Sequence, residues 1–228
     1  EDAVQKGDNA ANAGIPVDGH CPGLTGRELQ AYVAAGIQTD HESIAAEEAR
    51  EKLRCGMAVI IREGSAARNL KALLPIVTEK SAGRCMFGTD DRHIGDLLKR
   101  GHINQMVRAA VAEGLDALTA IRMATLNTAL HYNLKRRGAV APGYIADLIV
   151  CDDLESFRPR LVFAGGKKVA EDEITRFEPA AAKTEWPRRW EMPNFTPDLF
   201  RLRRNVPTGP VIEVVPGQIV TRRTERSL

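Results

Sequence analysis

The chain contains no C-x-x-C pair, its start does not read as a secretory leader, and its four cysteines, Cys21, Cys55, Cys85 and Cys151, lie far apart. That spacing argues against a disulfide framework or a structural zinc site and leads us to expect reduced thiols in a cytoplasmic setting. No apolar run approaches the roughly 20 residues that a bilayer-spanning helix needs, so no membrane partner is expected. Charge of one sign is also missing. Lys+Arg number 32 against Asp+Glu 30, a formal +2, which is too balanced for the basic footprint of a nucleic-acid binder and points to a small-molecule partner. A Gly-rich phosphate loop, a G-x-S-x-G elbow and an H-x-E paired with P-C-x-x-C are all absent, which argues against P-loop hydrolysis, an α/β-hydrolase and the cytidine-deaminase type of zinc site. There is no initiator Met, and the polar, Ala-rich start EDAVQKGDNAANAG reads like part of a surface helix, so a piece of a longer protein is expected.

What the 228 residues do contain, with 43% hydrophobic content, is enough to bury one good core and a smaller second one. The first segment, residues 1–136, reads as a βα repeat. Short apolar runs suited to buried parallel strands alternate with helical patterns. Thr25 and Glu28 have capping-box spacing, Ser43 is placed to cap the next helix, and Gly36 and Gly56 fall where helix C-termini want a left-handed residue. Ile103, Met106, Val107, Ala110 and Val111 form one apolar stripe, and Asp116 opens a further helix through ALTAIRMATLNTAL. From about Arg136 the pattern changes to short strands, and residues 137–228 read as a separate β unit. PRLVFAGGKKVAE and GPVIEVVPGQIV each suggest paired strands around a Gly-containing turn. Residues 172–208 read as irregular connection, and TRRTERSL as a charged end without a closing element.

Four strand-like runs, IPVDGH, GIQTDH, MAVIIREGS and RCMFGTDD, lead into His20, His41, Glu63 and Asp90, each followed by a helical stretch. Catalytic groups at the C-terminal ends of successive parallel strands are the arrangement of a (β/α) barrel active site. His20 sits in a turn made by Asp18, Gly19, Pro22 and Gly23, and His41 repeats the placement one unit later. Two imidazoles and an aspartate suit a divalent metal. Asp40 or Glu42 could orient a ligating ring, or could cap the next helix. Of the Asp90–Asp91 pair, alternation lets only one face the metal, and Asp90, nearer the strand, is the choice: it would ligate and also accept a proton from water. Arg92 and His93 could contact substrate or belong to a solvated loop. Arg62, Glu63 and Ser65 end a strand; Glu63 could bond a heterocycle NH or shuttle a proton, and could equally cap the following helix with Arg62. His102 and His131 read as packing or surface residues.

The blocks VDGHCPGLTGRELQAYVAAGIQTDHES, GMAVIIREGSAARNL, CMFGTDDRH, GHINQMVRAA, ATLNTALHY, GAVAPGYIADLIV and VIEVVPGQIVT resemble, in order and spacing, consecutive blocks of the bacterial adenine deaminases of the amidohydrolase superfamily. The resemblance implies an α/β fold, the second half of a metal-dependent (β/α)8 barrel followed by a small β-sandwich, acting on adenine to give hypoxanthine and ammonia in purine salvage. It places His20, His41 and Asp90 as metal ligands after the fifth, sixth and eighth strands, with Glu63 after the seventh. Arg62, Ser65, Asp91 and Arg92 would touch the purine substrate. The metal would be manganese, iron or zinc, binuclear in the complete enzyme, and the assembly a homo-oligomer. The family's H-x-H pair and its metal-bridging Glu have no counterpart in this chain, and the region after PGQIVT is short, so activity of these residues alone is doubtful on this reading. Another amidohydrolase acting on a cyclic C–N bond, or a non-catalytic truncated product, are the rival expectations.

Overall fold

Each of the four runs that precede a helical pattern supplies a strand to one sheet in the computed structural model of the protein, which describes residues 2–178, 196–201 and 207–227; in the first two runs only the polar ends, Asp18–Gly19 and Thr39–Asp40, are paired as strand. In chain order, α1 (Asp2–Asn12) leads to β1 (Asp18–Gly19), α2 (Gly26–Ala34), β2 (Thr39–Asp40), α3 (Ala46–Arg54), β3 (Ala58–Arg62), α4 (Leu70–Leu73) and β4 (Cys85–Gly88). The sheet order is β1-β2-β3-β4, with every neighbouring pair parallel. Parallel strands covered by crossover helices are buried on both faces and so read as continuous apolar runs. The run AVIIR of β3 is buried at four of its five positions, Ile60 alone being partly exposed.

Helices close one face of this sheet. After β4 come α5 (Ile94–Arg100), α6 (Ile103–Ala112), α7 (Ala117–Ala124) and α8 (Leu126–His131). Val59, Ile61, Cys85 and Phe87 of the sheet share a core with Ala49 and Leu53 of α3, Leu70 and Leu73 of α4, Met106, Val107 and Ala110 of α6, and Ala120 and Met123 of α7. The apolar stripe read on α6 is the face that enters this core. Asp116 caps α7, its Oδ2 accepting from the Thr119 N–H at 2.9 Å. Gly36 and Gly56, at φ 93° and 94°, end α2 and α3 in the left-handed region, where a side chain would be strained.

Two helix starts differ from expectation. Thr25 stands at the N-cap of α2 without a side-chain capping bond. Ser43 lies two residues ahead of Ala45, the N-cap of α3, and its hydroxyl donates to Asp40 instead. The helix expected from Asp116 through Leu130 is broken at Thr125, whose backbone (φ −131°, ψ −82°) is not helical, giving α7 and α8.

Beyond residue 147 the strands turn antiparallel. β5 (Leu148–Cys151), β6 (Pro159–Ala164), β7 (Lys167–Glu171) and β8 (Ile174–Thr175) form one sheet in that order, and β9 (Thr208–Val214) pairs with β10 (Thr221–Ser227). The β6–β7 turn is Gly165-Gly166, both at positive φ, as a two-residue hairpin requires. The last hairpin is longer than its sequence suggested. Its second strand is TRRTERS, not QIV, and the charged end is itself the closing strand. Six of its seven side chains are exposed, so no apolar alternation marks it as a strand. β8 and a 3-10 turn at Pro197–Phe200 fall inside the stretch expected to be irregular, most of whose remainder, 179–195 and 202–206, lies outside the described residues. No helix among the described residues is long and apolar enough to cross a membrane.

Candidate metal centre

Parallel strands aim their last residues at one edge of the sheet, and the polar residues ending β1 to β4 meet there. Gly19 makes room for Tyr32 and Ile37 beside His20: a Cβ at this position would lie 2.2 Å from the Tyr32 hydroxyl and 2.6 Å from Ile37 Cγ2. The Tyr32 hydroxyl in turn accepts from the His20 N–H at 3.0 Å. The His20 and His41 rings meet edge to face with centroids 4.6 Å apart. His20 Nδ1 is 3.2 Å from Glu42 Oε1, and ligand atoms of His20, His41 and Glu42 all lie within 4.8 Å of one another. His41 is largely enclosed. Its Nδ1 lies 3.1 Å from Asp18 Oδ2 and its Nε2 lies 3.8 Å from Asp90 Oδ2. The Asp18 carboxylate holds the His41 pKa above its usual value, with Asp90 and Glu42 adding to this and burial opposing it.

Arg62, at the end of β3 and 5% exposed, ties the carboxylates of this edge together. Its Nη1 pairs with Asp90 Oδ2 and lies 3.7 Å from Glu42 Oε1, while Nη2 bonds Asp91 Oδ1 at 3.1 Å. Asp90 itself has φ 43°, a left-handed conformation uncommon for a residue other than glycine. Asp91 is turned the other way, Oδ2 accepting from the Ala66 N–H at 2.7 Å. Burial pushes the Asp91 carboxyl up, yet the Ala66 N–H and Arg62 overcome it and hold the group below the usual range.

The remaining sequence-derived candidates sit farther round the rim. Glu63 Oε2 accepts from the Leu70 N–H at 3.1 Å, at the start of α4. The Ser65 hydroxyl donates to Asp96 Oδ2 at 2.5 Å and accepts from the His93 N–H at 2.9 Å. The Arg92 guanidinium reaches the Gly101 and His102 carbonyls at 3.0 and 3.2 Å and Gln105 Oε1 at 2.7 Å. His131 and His102 are engaged with threonines, Nε2 lying 2.6 Å from Thr39 Oγ1 and 2.9 Å from Thr89 Oγ1 respectively. The structure thus brings His20, His41, Asp90, Arg62 and Asp91 together, and adds two residues that sequence reasoning did not count as donors. Glu42 joins the two imidazoles, and Asp18 backs His41. The adjacency DHE and an Asp one or two residues ahead of each histidine, in VDGH and QTDH, were the available signals.

Two imidazoles with carboxylate oxygens in reach are a donor set for a divalent ion of the zinc or manganese kind. The enclosure of His41 and the clustering of acidic groups around a single guanidinium fit such a charge. A family model described as the amidohydrolase family matches residues 2–169. The chain belongs to the amidohydrolase family. Over 217 residues it is 48% identical to a protein named adenine deaminase from Dehalococcoides mccartyi (strain CBDB1), covering 94% of this chain and 38% of that protein. Also over 217 residues, it is 44% identical to adenine deaminase 2 of Carboxydothermus hydrogenoformans, covering 95% and 38%. This amidohydrolase chain therefore spans 38% of the length of those curated relatives. Among solved structures, N-acetyl-D-glucosamine-6-phosphate deacetylase from Mycobacterium smegmatis superposes with a TM-score of 0.58 at 20% identity, over 73% of this chain and 51% of that one. The β-aspartyl dipeptidase of Fervidobacterium islandicum AW-1 gives 0.57 at 14% identity, over 76% and 52%. These likenesses concern the α/β fold.

Proposed function

We propose that this chain carries the carboxyl-end half of the active site of an adenine-deaminating amidohydrolase, converting adenine and water to hypoxanthine and ammonia. On this reading residues 1–136 are the second half of a (β/α)8 barrel and residues 137–228 belong to a β-sandwich unit. The observation that carries the proposal is the convergence of His20, His41, Glu42 and Asp90 at one end of the parallel sheet, in a chain 48% identical to an adenine deaminase. His20 and His41 would hold a divalent metal, zinc, manganese or iron, with Asp90 and Glu42 as carboxylate donors beside them. When bound, such an ion supplies the Lewis acidity that brings the pKa of water down to about 7.

The chain's own residues would do the rest. Asp90 Oδ2, beside His41 Nε2, would accept a proton as water attacks C6 of the ring; of water's two protons one ends on ring N1 and the other on the amino group, which departs as ammonia as the C6–N bond breaks. Arg62 fixes Asp90 and Asp91 by ion pairs from a buried position, so that Asp90 is already placed when substrate arrives. Asp91, Ser65, Arg92 and Glu63, fixed by their contacts with neighbouring loops and helix starts, shape the rim over which a flat purine would lie.

The test is a chimera in which this chain replaces the matching 217-residue segment of the D. mccartyi adenine deaminase. Ammonia release from adenine should be retained, and Asp90→Asn should lower kcat by about 100-fold or more while keeping much of the metal. A chimera that binds metal but acts on another cyclic amidine in place of adenine would shift the assignment to that substrate. An active chimera indifferent to Asp90→Asn would remove Asp90 from its role.

A further inference from the structure

Helix α3, AEEAREKLR, is among the most polar segments of the chain, yet it buries two of its charges. Lys52 is 0% exposed, and its carboxylate partners Asp40 and Glu48 are 0% and 6% exposed. The Lys52 ammonium meets four acceptors: Glu48 Oε1 at 2.6 Å, the Cys21 carbonyl at 2.7 Å, Asp40 Oδ2 at 3.0 Å and Ser43 Oγ at 3.1 Å. The two carboxylates are satisfied in turn by the loops around them. Asp40 Oδ1 accepts from the Cys21 N–H at 3.1 Å and Oδ2 from the Ser43 hydroxyl at 2.7 Å. Glu48 accepts from the Gly23 N–H at 2.7 Å and the Ile44 N–H at 3.2 Å.

The placement of these partners is what gives the cluster meaning. Cys21 directly follows His20, Asp40 directly precedes His41, and Ser43 directly follows Glu42. One ammonium therefore touches the chain neighbours of three of the four metal-donor candidates, His20, His41 and Glu42, and joins the loop after β1 to the loop after β2. We infer that Lys52 is a positioning residue, whose buried ammonium fastens the two loops so that His20, His41 and Glu42 are held in register for a metal ion. The inference rests on the metal-site reading given above. Replacing a buried ionic cluster with apolar side chains is often neutral or stabilising, so stability alone is a weak reason for a lysine here. A compact cation with freely rotating donors can bind four acceptors drawn from two loops and a helix, whereas an apolar side chain can fasten none of them.

Lys52→Met alone strands two buried carboxylates and is expected to unfold the chain or lower its melting temperature sharply. The decisive variant is Asp40→Asn/Glu48→Gln/Lys52→Met, which removes all three charges at nearly constant shape. In the 228-residue chain without metal, amide exchange at Cys21, Gly23 and Ile44 should speed up together by about tenfold or more, while the amides of β3 and β4 keep their protection. Titrated with Co(II) and followed by visible absorption, the variant should bind about 10- to 100-fold more weakly than the parent, with shifted ligand-field bands. Unchanged exchange in the two loops, a uniform loss of protection across the sheet, or an unchanged cobalt affinity and spectrum would each overturn the inference. A parent chain that takes up no cobalt would refute the metal-site reading, and the exchange pattern alone would then decide whether Lys52 fixes the loops.

Discussion

Asn127 offers a sharp test of how β4, the strand that leads into Asp90, is held in place. Its side chain is 6% exposed, and Nδ2 donates to the Ala82 carbonyl at 2.7 Å and the Cys85 carbonyl at 2.9 Å. Cys85 is the first residue of β4, so one amide on α8 pins the base of the strand. In Asn127→Ala both bonds vanish. The Ala82 carbonyl can recover water, since that contact is only part-buried, but the Cys85 carbonyl cannot. A hydrogen bond contributes about 1 kcal/mol net, and a buried carbonyl left unpaired costs about 1–3 kcal/mol, so the expected loss is roughly 2–3 kcal/mol. With a urea m-value of about 2–3 kcal/mol/M for a protein of this size, the midpoint should fall by about 1 M. Asn127→Asp should be worse at neutral pH, because an ionised carboxylate offers two acceptors no donor. Set against two carbonyls, the introduced carboxyl titrates above its ordinary value, so its penalty is relieved as pH falls through that raised value and a donor proton returns. An alanine variant losing less than about 0.5 kcal/mol, or an aspartate variant milder than alanine at pH 7, would refute this reasoning.

The raised pKa of His41 gives one pH-dependent term in the metal-free chain: its contribution to the melting temperature is fully present below the ordinary imidazole range and is lost as pH rises through the raised value, while burial lowers His102 and His131, which act in the opposite sense. Asp18→Asn should flatten that dependence, and metal affinity should run the opposite way with pH, since only neutral imidazole ligates. Gly64→Ala should disrupt the rim, because the added Cβ would lie 1.6 Å from Asp91 Oδ1, a side chain already fastened by Arg62 and the Ala66 N–H. Its signature is an Asp91 carboxyl titrating nearer the ordinary range by NMR, with little change in far-UV circular dichroism. Asp116→Ala removes the α7 cap and should cost about 1 kcal/mol in urea unfolding.

The parallel sheet was legible because buried strands such as AVIIR and CMFG are continuous apolar runs, and because each ends on a polar residue at the same edge. The cap at Asp116, the stripe on α6 and the glycines after α2 and α3 were legible for the same local reasons. Residues whose role depends on a distant partner were not. Ser43 has the composition of a helix cap, but Asp40 competes for its hydroxyl and wins. Lys52 and Glu48 sit in a helix so polar that a solvated face is the natural reading, and only the fold shows them enclosed together. Glu63 could be read two ways, and the structure directs its carboxylate to the first amide of α4. β10 escaped notice because a hairpin strand exposed on both faces is held by its backbone ladder and leaves no apolar pattern in TRRTERS.

The central claim is that the strand ends of this sheet form a metal-binding edge built on His20 and His41. Anomalous diffraction from crystals of the chain soaked in Mn(II) measures it directly. The account predicts a single strong peak within about 2.0–2.3 Å of a nitrogen from each of these two histidines, with Glu42 or Asp90 completing the shell. Full manganese occupancy elsewhere, with His20 and His41 left unligated, would contradict it.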